Sequence, residues 1–123
     1  MKKLNMFCLS LEPNHYTFIN KIGYLPVGLG DKKFSDSWLT DKMGKNISYK
    51  NKNYGEYTFH YWIWKNYLDQ LDDGWVGFCQ YRKFWSLKQY NQKDINLDSI
   101  DKQVLKIIPD EYKNFETIIG EPM

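Results

Sequence analysis

The chain has 123 residues, of which 42% are hydrophobic, enough for one domain with a sizeable core. Its net charge of +2 is too small to indicate a polyanionic partner, and no apolar run approaches the ~20 residues of a membrane-spanning helix. The apolar run near the start is too short for a signal peptide, so a cytoplasmic protein is expected. Cys8 and Cys79 are accordingly expected to be reduced and buried.

The first part of the chain has the pattern of a strand, a helix and a second strand. Residues 4–11 form an apolar run that is typical of a strand. Asn14 is the predicted cap of a helix over residues 15–22. Residues 24–27 are predicted to be a short strand, where Pro26 favours an edge position or merely an extended segment.

Residues 28–53 show no clear period and are predicted to form a long, packed loop. The loop opens with Gly28, Leu29 and Gly30. A glycine-rich turn after a strand either cradles a phosphate or simply reverses the chain, and the tight turn is favoured here.

A long helix is predicted over residues 54–71, with Asn53 and Glu56 as a capping box. Asp72 and Asp73 follow it, and solvation of the helix end is favoured over metal binding for this pair. One apolar stripe of the helix is predicted to face the core. The stripe consists of Tyr57, Tyr61, Trp64, Leu68 and Leu71.

Residues 75–81 are predicted to be a central strand of a parallel sheet, because both of its faces are apolar or small. Residues 86–96 are polar and predicted to be a loop. A helix capped by Asp98 or Ser99 is predicted to extend to Ile108. It is followed by a predicted strand over residues 115–119 and a turn at residues 120–122.

This order of elements predicts an open, mainly parallel, Rossmann-like α/β sheet with flanking helices. The chain is expected to form only part of a complete domain. Such a sheet binds ligands beyond the carboxyl ends of its strands, here after Val27 and at residues 80–83. Arg82, the only arginine, and Lys83 could neutralise a diphosphate, a role often taken by a divalent cation. The alternatives are a solvated strand end or an ion pair of Arg82 with Glu56 or Asp73.

The other candidate residues give weaker signals. Glu56 and Asp41 are candidate bases or hydroxyl ligands, but spacing alone does not separate these roles from helix capping. His15 and His60 are far apart in sequence, and His60 is expected in a hydrogen-bonded core position. No spacing typical of metal ligands is present.

Four stretches between residues 24 and 85 resemble the DUF4422 family, which comprises glycosyltransferases associated with capsular and other exopolysaccharide synthesis. Three positions depart from the family pattern: Lys45 replaces an acid, Gln80 a histidine and Lys83 an arginine. The stretches are DKMGKNIS (41–48), NYGEYT (53–58), YWIWKN (61–66) and QYRKF (80–84).

The resemblance implies a GT-A-like fold and the N-terminal, donor-binding half of a glycosyltransferase spanning residues 1–123. Its partners would be a nucleotide-sugar donor and a glycan acceptor, and peripheral membrane association is compatible with it. No cofactor is implied, because the acidic motif that holds a metal such as manganese in related enzymes is missing. The catalytic residue is not identified. The residues expected to bind the donor are Gly28, Asp41, Asn46, Glu56, Tyr81, Arg82 and Lys83.

Two other classes of protein compete with this reading. A non-catalytic carbohydrate-binding module would stack sugars on Trp38, Trp62 and Trp85. A nucleic-acid binder is the weakest alternative, because the lysines are spread along the chain and accompanied by 15 acidic residues.

Overall fold

A parallel sheet organises residues 2–88 and 98–120, the part of the chain that the computed structural model describes. Its strands are β1 (Lys2–Ser10), β2 (Leu25–Gly28), β3 (Leu39–Thr40), β4 (Trp75–Gln80) and β5 (Ile107–Ile108). The order is β3-β2-β1-β4 with all four strands parallel, and β5 pairs antiparallel with the start of β1. This is the open, parallel, Rossmann-like arrangement that the sequence predicts.

Helices cover both faces of the sheet. They are α1 (Tyr16–Lys21), α2 (Asn51–Tyr54), α3 (Tyr57–Asn66) and α4 (Ile100–Gln103). Residues of α1 and α4 contribute to one core layer, and α3 contributes to the other. The sheet is therefore the middle of three layers, as in other doubly wound folds.

Strand β1 is buried on both faces because its side chains alternate between the two core layers. Met6 and Cys8 belong to the layer with α1, whereas Phe7 and Leu9 belong to the layer with α3. All four are at most 4% exposed. Full burial of an apolar side chain of this size stabilises the fold by roughly 1.5–3 kcal/mol, so β1 is the centre of the core.

The central strand is thus β1, and the prediction that residues 75–81 are central is wrong. In the described part of the chain, β4 pairs with β1 alone, and its first four residues are only half-buried. An apolar edge strand whose faces are covered has the same composition as a central one. Its parallel direction is predicted correctly.

The long helix predicted over residues 54–71 is interrupted. Gly55, with φ of 56°, ends α2, and α3 then begins at Tyr57. Glu56 occupies the N-cap of α3 but makes no side-chain cap hydrogen bond, so the predicted capping box does not form. After Asn66 the chain continues as a 3-10 turn, Leu68–Gln70.

Most of the predicted core stripe of this helix faces outward, although Tyr61 is half-buried and Leu71 packs against the core. Tyr57, Trp64 and Leu68 are 64%, 61% and 44% exposed. The buried residues of α3 form a different stripe, namely Thr58, Phe59, Trp62 and Ile63. The helix carries apolar residues all around, so periodicity alone does not identify the buried side.

The C-terminal part differs most from the prediction. The helix α4 stops at Gln103, Val104 is extended, and β5 then pairs with the start of β1. Residues 115–119 are irregular, with an exposed Phe115, and form no strand. Parts of the predicted loop at 86–96 and of the turn at 120–122 lie outside the described residues.

Two smaller predictions at the ends of elements also differ. Asn14 does not cap a helix: it lies inside a 3-10 turn, Pro13–His15, and α1 begins after it without a side-chain cap. Pro26 in β2 lies opposite Cys8 of β1, and β3 pairs only with the last two residues of β2. The proline is therefore unpaired on the β3 side of β2, where a missing N–H costs no ladder bond.

The two cysteines are free and buried, as expected. Cys8 and Cys79 lie opposite each other on β1 and β4. The hydrogen bond with Cys8 and burial both raise the pKa of the Cys79 thiol, which therefore stays protonated and unreactive.

His60 is half-buried on α3, with its ring centroid 4.3 Å from that of Phe78. Its Nε2 is buried without a hydrogen-bond partner in the described residues, so the expected hydrogen-bonded position is not observed for this atom. Burial lowers the pKa of His60 below its ordinary 6.5. The unfolded chain therefore binds a proton at a higher pH than the folded chain does.

This pKa predicts that His60 contributes to acid sensitivity. The stability linked to His60 is complete above its unfolded pKa and is lost as the pH falls from about 6.5 through the folded pKa. Urea unfolding at pH 8 and pH 5 should show a smaller loss of unfolding free energy in His60→Phe than in the unaltered protein. An equal loss in both proteins would contradict this prediction.

Candidate functional site

The strand order locates a crevice at the carboxyl edge of the sheet. The chain leaves β1 towards β2 on one side, and β4 lies on the other side. In open α/β sheets, the crevice at such a reversal of strand order is the ligand-binding position. Here it lies beyond Ser10 of β1 and Gln80 of β4, and the Tyr81 N–H donates to the Leu9 carbonyl at 2.9 Å.

A tight turn follows β4 at this edge. The Lys83 N–H donates to the Gln80 carbonyl at 2.9 Å, which closes the turn around Tyr81 and Arg82. Arg82 has φ of 78°, and it is the only non-glycine residue with positive φ in the described part of the chain. For a residue with a Cβ, this conformation costs roughly 1–2 kcal/mol.

The two cations of the turn are exposed. Across residues 2–88 and 98–120, neither Arg82 nor Lys83 makes an ion pair or a side-chain hydrogen bond. Arg82 instead lies over the Tyr81 ring, with its guanidinium carbon 5.9 Å from the ring centroid. The alternative in which Arg82 pairs with Glu56 or Asp73 is therefore not observed.

Glu56 contacts a different residue of the turn. Gln80 Nε2 donates to Glu56 Oε2 at 2.8 Å, which joins the start of α3 to the end of β4. Glu56 is thus in contact with Gln80, the residue that replaces a histidine in the family pattern. Glutamine preserves a donor to Glu56 but cannot exchange a proton as histidine does.

A third group lies at the end of β1. His15 stacks on Tyr81, with ring centroids 3.6 Å apart and an interplanar angle of 14°. Its Nδ1 is 2.7 Å from Ser10 Oγ. Sequence spacing does not reveal this contact between residues 15 and 81, because it follows from the parallel pairing of β1 with β4.

A cleft of about 1,020 Å³ opens beside the turn, towards the C-terminal segment. Its walls include Arg82, Lys83, Trp85, Leu105 and Tyr112. The lining is mainly apolar and includes a few cations.

The packing of Phe34 explains why residue 28 is a glycine. A Cβ at this position would lie 2.4 Å from the Phe34 ring, so only glycine allows the ring to pack against the end of β2. In this structure an aromatic ring, rather than an open phosphate cradle, lies next to Gly28.

Asp41 lies beneath the surface, with 0% of its area exposed. Its Oδ2 accepts a hydrogen bond from Thr58 Oγ1 at 2.5 Å, and its Oδ1 has no partner in the described residues. Asn51 Nδ2 donates to the same threonine oxygen at 3.1 Å. Asp41 thus ties the end of β3 to α3.

Asn46 stabilises its own loop. Its Nδ2 donates to the Lys42 and Gly44 carbonyls, and its Oδ1 accepts from Ser48. Asn66 of α3 then holds this loop through the backbone of Lys45. The matched stretch at 41–48 is therefore an anchored loop rather than a mobile one.

The described residues contain no group of three or more histidine, cysteine, aspartate or glutamate side chains that could hold a metal ion. Asp72 pairs instead with Lys3 at 2.9 Å, at the amino ends of the strands, opposite the crevice. The hydrogen bond from Lys3 lowers the pKa of Asp72. The donor set expected for manganese is thus not found in the described part of the chain.

The tryptophans named for sugar stacking lie mostly in the core. Trp38 and Trp62 are each 6% exposed, and Trp85 is half-buried, with Nε1 donating to the Phe78 carbonyl. The exposed aromatic surface is instead the outer stripe of α3, where Lys65 Nζ lies 3.7 Å from the Trp64 ring centroid. No helix among the described residues is long and apolar enough to span a membrane.

The protein is thus an α/β protein whose Rossmann-like sheet carries two exposed cations at its carboxyl edge. The chain belongs to the DUF4422 family, a domain of unknown function whose model matches residues 11–120. This membership confirms the resemblance seen in the sequence.

A solved structure gives a second comparison. The chain is similar to the apo structure of WbbM, a bifunctional glycosyltransferase, with a TM-score of 0.52 and 30% sequence identity. The match covers 71% of this chain and 15% of the length of WbbM. A search of curated proteins found no match.

The buried contact between Thr58 and Asp41 gives a prediction about stability. Thr58→Val should lower the unfolding free energy by about 1–3 kcal/mol, because it leaves a buried carboxylate without its donor. Thr58→Ser keeps the hydroxyl and should lower it less. Denaturant unfolding of the two variants measures the difference, and equal losses would show that the hydrogen bond contributes nothing.

Proposed function

We propose that this chain is the donor-binding part of a glycosyltransferase, in which Arg82 and Lys83 neutralise the diphosphate of a nucleotide sugar. The observation that carries the proposal is Arg82 itself. It is an exposed cation without an ion pair in the described residues, in a strained conformation, at the reversal of strand order. Strained residues persist where the fold holds them for a purpose, and functional sites are the commonest such places.

The chemistry of the turn fits a diphosphate. The guanidinium of Arg82 offers a planar fork of donors that matches phosphate oxygens, and the ammonium of Lys83 adds a point charge. Two cations offset the charge that a divalent metal offsets in related transferases. Similarity to a glycosyltransferase at 30% identity favours a sugar nucleotide over other phosphorylated ligands.

The remaining candidates take supporting roles in this proposal. Tyr81 supplies a ring beside the phosphates. Glu56, held by Gln80, accepts a hydrogen bond from a hydroxyl of the donor sugar. Gly28, Asp41 and Asn46 act indirectly, because they fix the loops around the crevice through the contacts described above.

The cleft beside the turn accommodates the rest of the donor, and the glycan acceptor approaches from the same edge of the sheet. The reaction serves polysaccharide or glycan synthesis on the cytoplasmic side, where nucleotide sugars are the donors, and peripheral association with a membrane belongs to the same proposal. The catalytic base is not assigned to a residue of this chain.

Substitution of Arg82 tests the proposal. Arg82→Ala should weaken the affinity for UDP or a UDP-sugar roughly tenfold to 100-fold, because a hydrogen bond to a charged group contributes about 1.5–3 kcal/mol. Lys21→Ala removes the same charge from an exposed position of α1 and should leave the affinity unchanged. Isothermal titration calorimetry measures both, and equal affinities of the Arg82→Ala variant and the unaltered protein would refute the role of Arg82.

Two further measurements sharpen this experiment. Arg82→Gly should lose the same affinity while raising the midpoint of thermal unfolding, because glycine tolerates a positive φ. Glycosyl transfer by the full-length protein should persist in EDTA. Activity that disappears with EDTA and returns with manganese would contradict the replacement of a metal by Arg82 and Lys83.

A second candidate function is carbohydrate binding without catalysis, and the outer stripe of α3 favours it. Exposed aromatic rings such as Tyr57 and Trp64 are suited to stack on sugar rings. On this alternative, Trp64→Ala should abolish oligosaccharide binding, whereas Leu68→Ala, which removes exposed apolar surface without a ring, should preserve it. Oligosaccharide binding in a protein without nucleotide affinity, measured by the same calorimetry, would favour this alternative over the first.

A further inference from the structure

We propose that His15 is a donor-contacting residue whose Nε2 binds the diphosphate beside Arg82, and that Ser10 is the positioning residue that holds it. This inference rests on the proposed function. It adds a ligand contact from the 3-10 turn after β1 to the diphosphate site proposed at the turn after β4.

The fold brings His15 to the crevice. Strand β1 ends at Ser10, and the 3-10 turn Pro13–His15 follows within three residues. The neighbouring strand β4 ends in the turn that carries Tyr81 and Arg82. The two segments therefore flank the same reversal of strand order from its two sides.

Hydrogen bonds at Ser10 determine how His15 is held. Ser10 is 6% exposed, and its Oγ accepts a hydrogen bond from the Glu12 N–H at 3.0 Å. The hydroxyl can then donate to His15 Nδ1 at 2.7 Å, a shorter contact than its 3.3 Å approach to the Glu12 carbonyl. A neutral imidazole that accepts at Nδ1 carries its proton on Nε2, which makes Nε2 a donor.

The stacking contact fixes the plane of this donor. The His15 and Tyr81 rings are nearly parallel, and the Arg82 guanidinium lies over the same Tyr81 ring. His15 is half-buried, and its Nε2 is accessible to solvent and makes no hydrogen bond within the described residues. One solvent-accessible imidazole donor and one unpaired guanidinium thus adjoin a single tyrosine, an arrangement that suits an oxyanion.

The competing explanation is structural: the Ser10–His15 pair would merely tie the 3-10 turn to β1. Two isosteric substitutions separate the explanations, because each keeps one nitrogen position of the ring. The amide of His15→Asn reaches the position of Nδ1 and keeps the contact with Ser10, whereas the amide of His15→Gln reaches the position of Nε2. Both variants lose the stacked ring equally.

Calorimetric titration of the full-length protein with UDP and with inorganic pyrophosphate provides the test. His15→Asn should weaken binding of both ligands about tenfold or more, the effect of losing a hydrogen bond to a charged group. His15→Gln keeps a donor at the position of Nε2 but loses the contact with Ser10, so it should weaken binding only about threefold, a difference of under 1 kcal/mol. Equal affinities of the two variants, whether both weak or both unchanged, would overturn the inference.

NMR provides a second readout, because the shift caused by the ligand is measured on the unaltered protein. The chain has two histidines, so His60→Phe assigns the imidazole signals. UDP should shift the Nε2 resonance of His15, and an unshifted resonance at saturation refutes the contact.

Two variants of Ser10 test its positioning role. Ser10→Ala should weaken UDP binding, whereas Ser10→Thr keeps the hydroxyl and should bind UDP as the unaltered protein does. Unchanged binding in Ser10→Ala would refute the positioning role.

Failure of this inference is distinguishable from failure of the proposed function. If Arg82→Ala loses UDP affinity but His15→Asn does not, the site on β4 stands and His15 has no part in it. If the unaltered protein does not bind UDP or pyrophosphate at all, both proposals fail together.

Discussion

The burial of β1 on both faces is the constraint from which the rest of the structure follows. A strand with Met6 and Cys8 on one side and Phe7 and Leu9 on the other requires a helical layer on each face. The chain supplies α1 to one layer and α3 to the other, so the connection to β4 passes to the opposite side of β1 from β2. The crevice at the carboxyl edge is therefore a consequence of core formation.

The sequence predicts several elements of this sheet because the relevant signals are local. The first strand, the parallel direction of β4 and the cluster at residues 80–83 follow from short apolar runs that end in polar residues. The motif stretches predict the family, since their spacing is specific. These features depend on neighbouring residues, so a wrong prediction of contacts between distant segments does not affect them.

The features that the sequence does not predict depend on contacts between distant segments. The outward stripe of α3 is as apolar as its buried stripe, and only the position of the sheet decides between them. The stacking of His15 on Tyr81 joins residues that are adjacent only after β1 pairs with β4. The positive φ of Arg82 is equally invisible, because arginine gives no signal for a conformation that glycine normally adopts.

The residues that match the family pattern divide into two groups in the structure. Asp41, Asn46 and Asn66 are occupied with holding the loop at 41–48 against α3, which accounts for their residue types without any ligand. Arg82 lies instead at the exposed edge of the crevice, where packing does not require it, whereas the neighbouring Tyr81 is half-buried and packs against Phe18 and Phe84. Residue types that packing leaves unexplained are the better guide to chemistry, and Arg82 is such a residue.

The contact between Gln80 and Glu56 limits the chemistry that this pair can perform. It keeps a hydrogen bond to Glu56, so the geometry between α3 and β4 is preserved without the histidine of the family pattern. An amide holds no exchangeable charge near neutral pH, and a proton could not pass through this pair as it could through histidine and glutamate. The Glu56–Gln80 pair can therefore orient a hydroxyl group, whereas a proton relay requires a titratable group, and His15 is the imidazole that lies at this edge of the sheet.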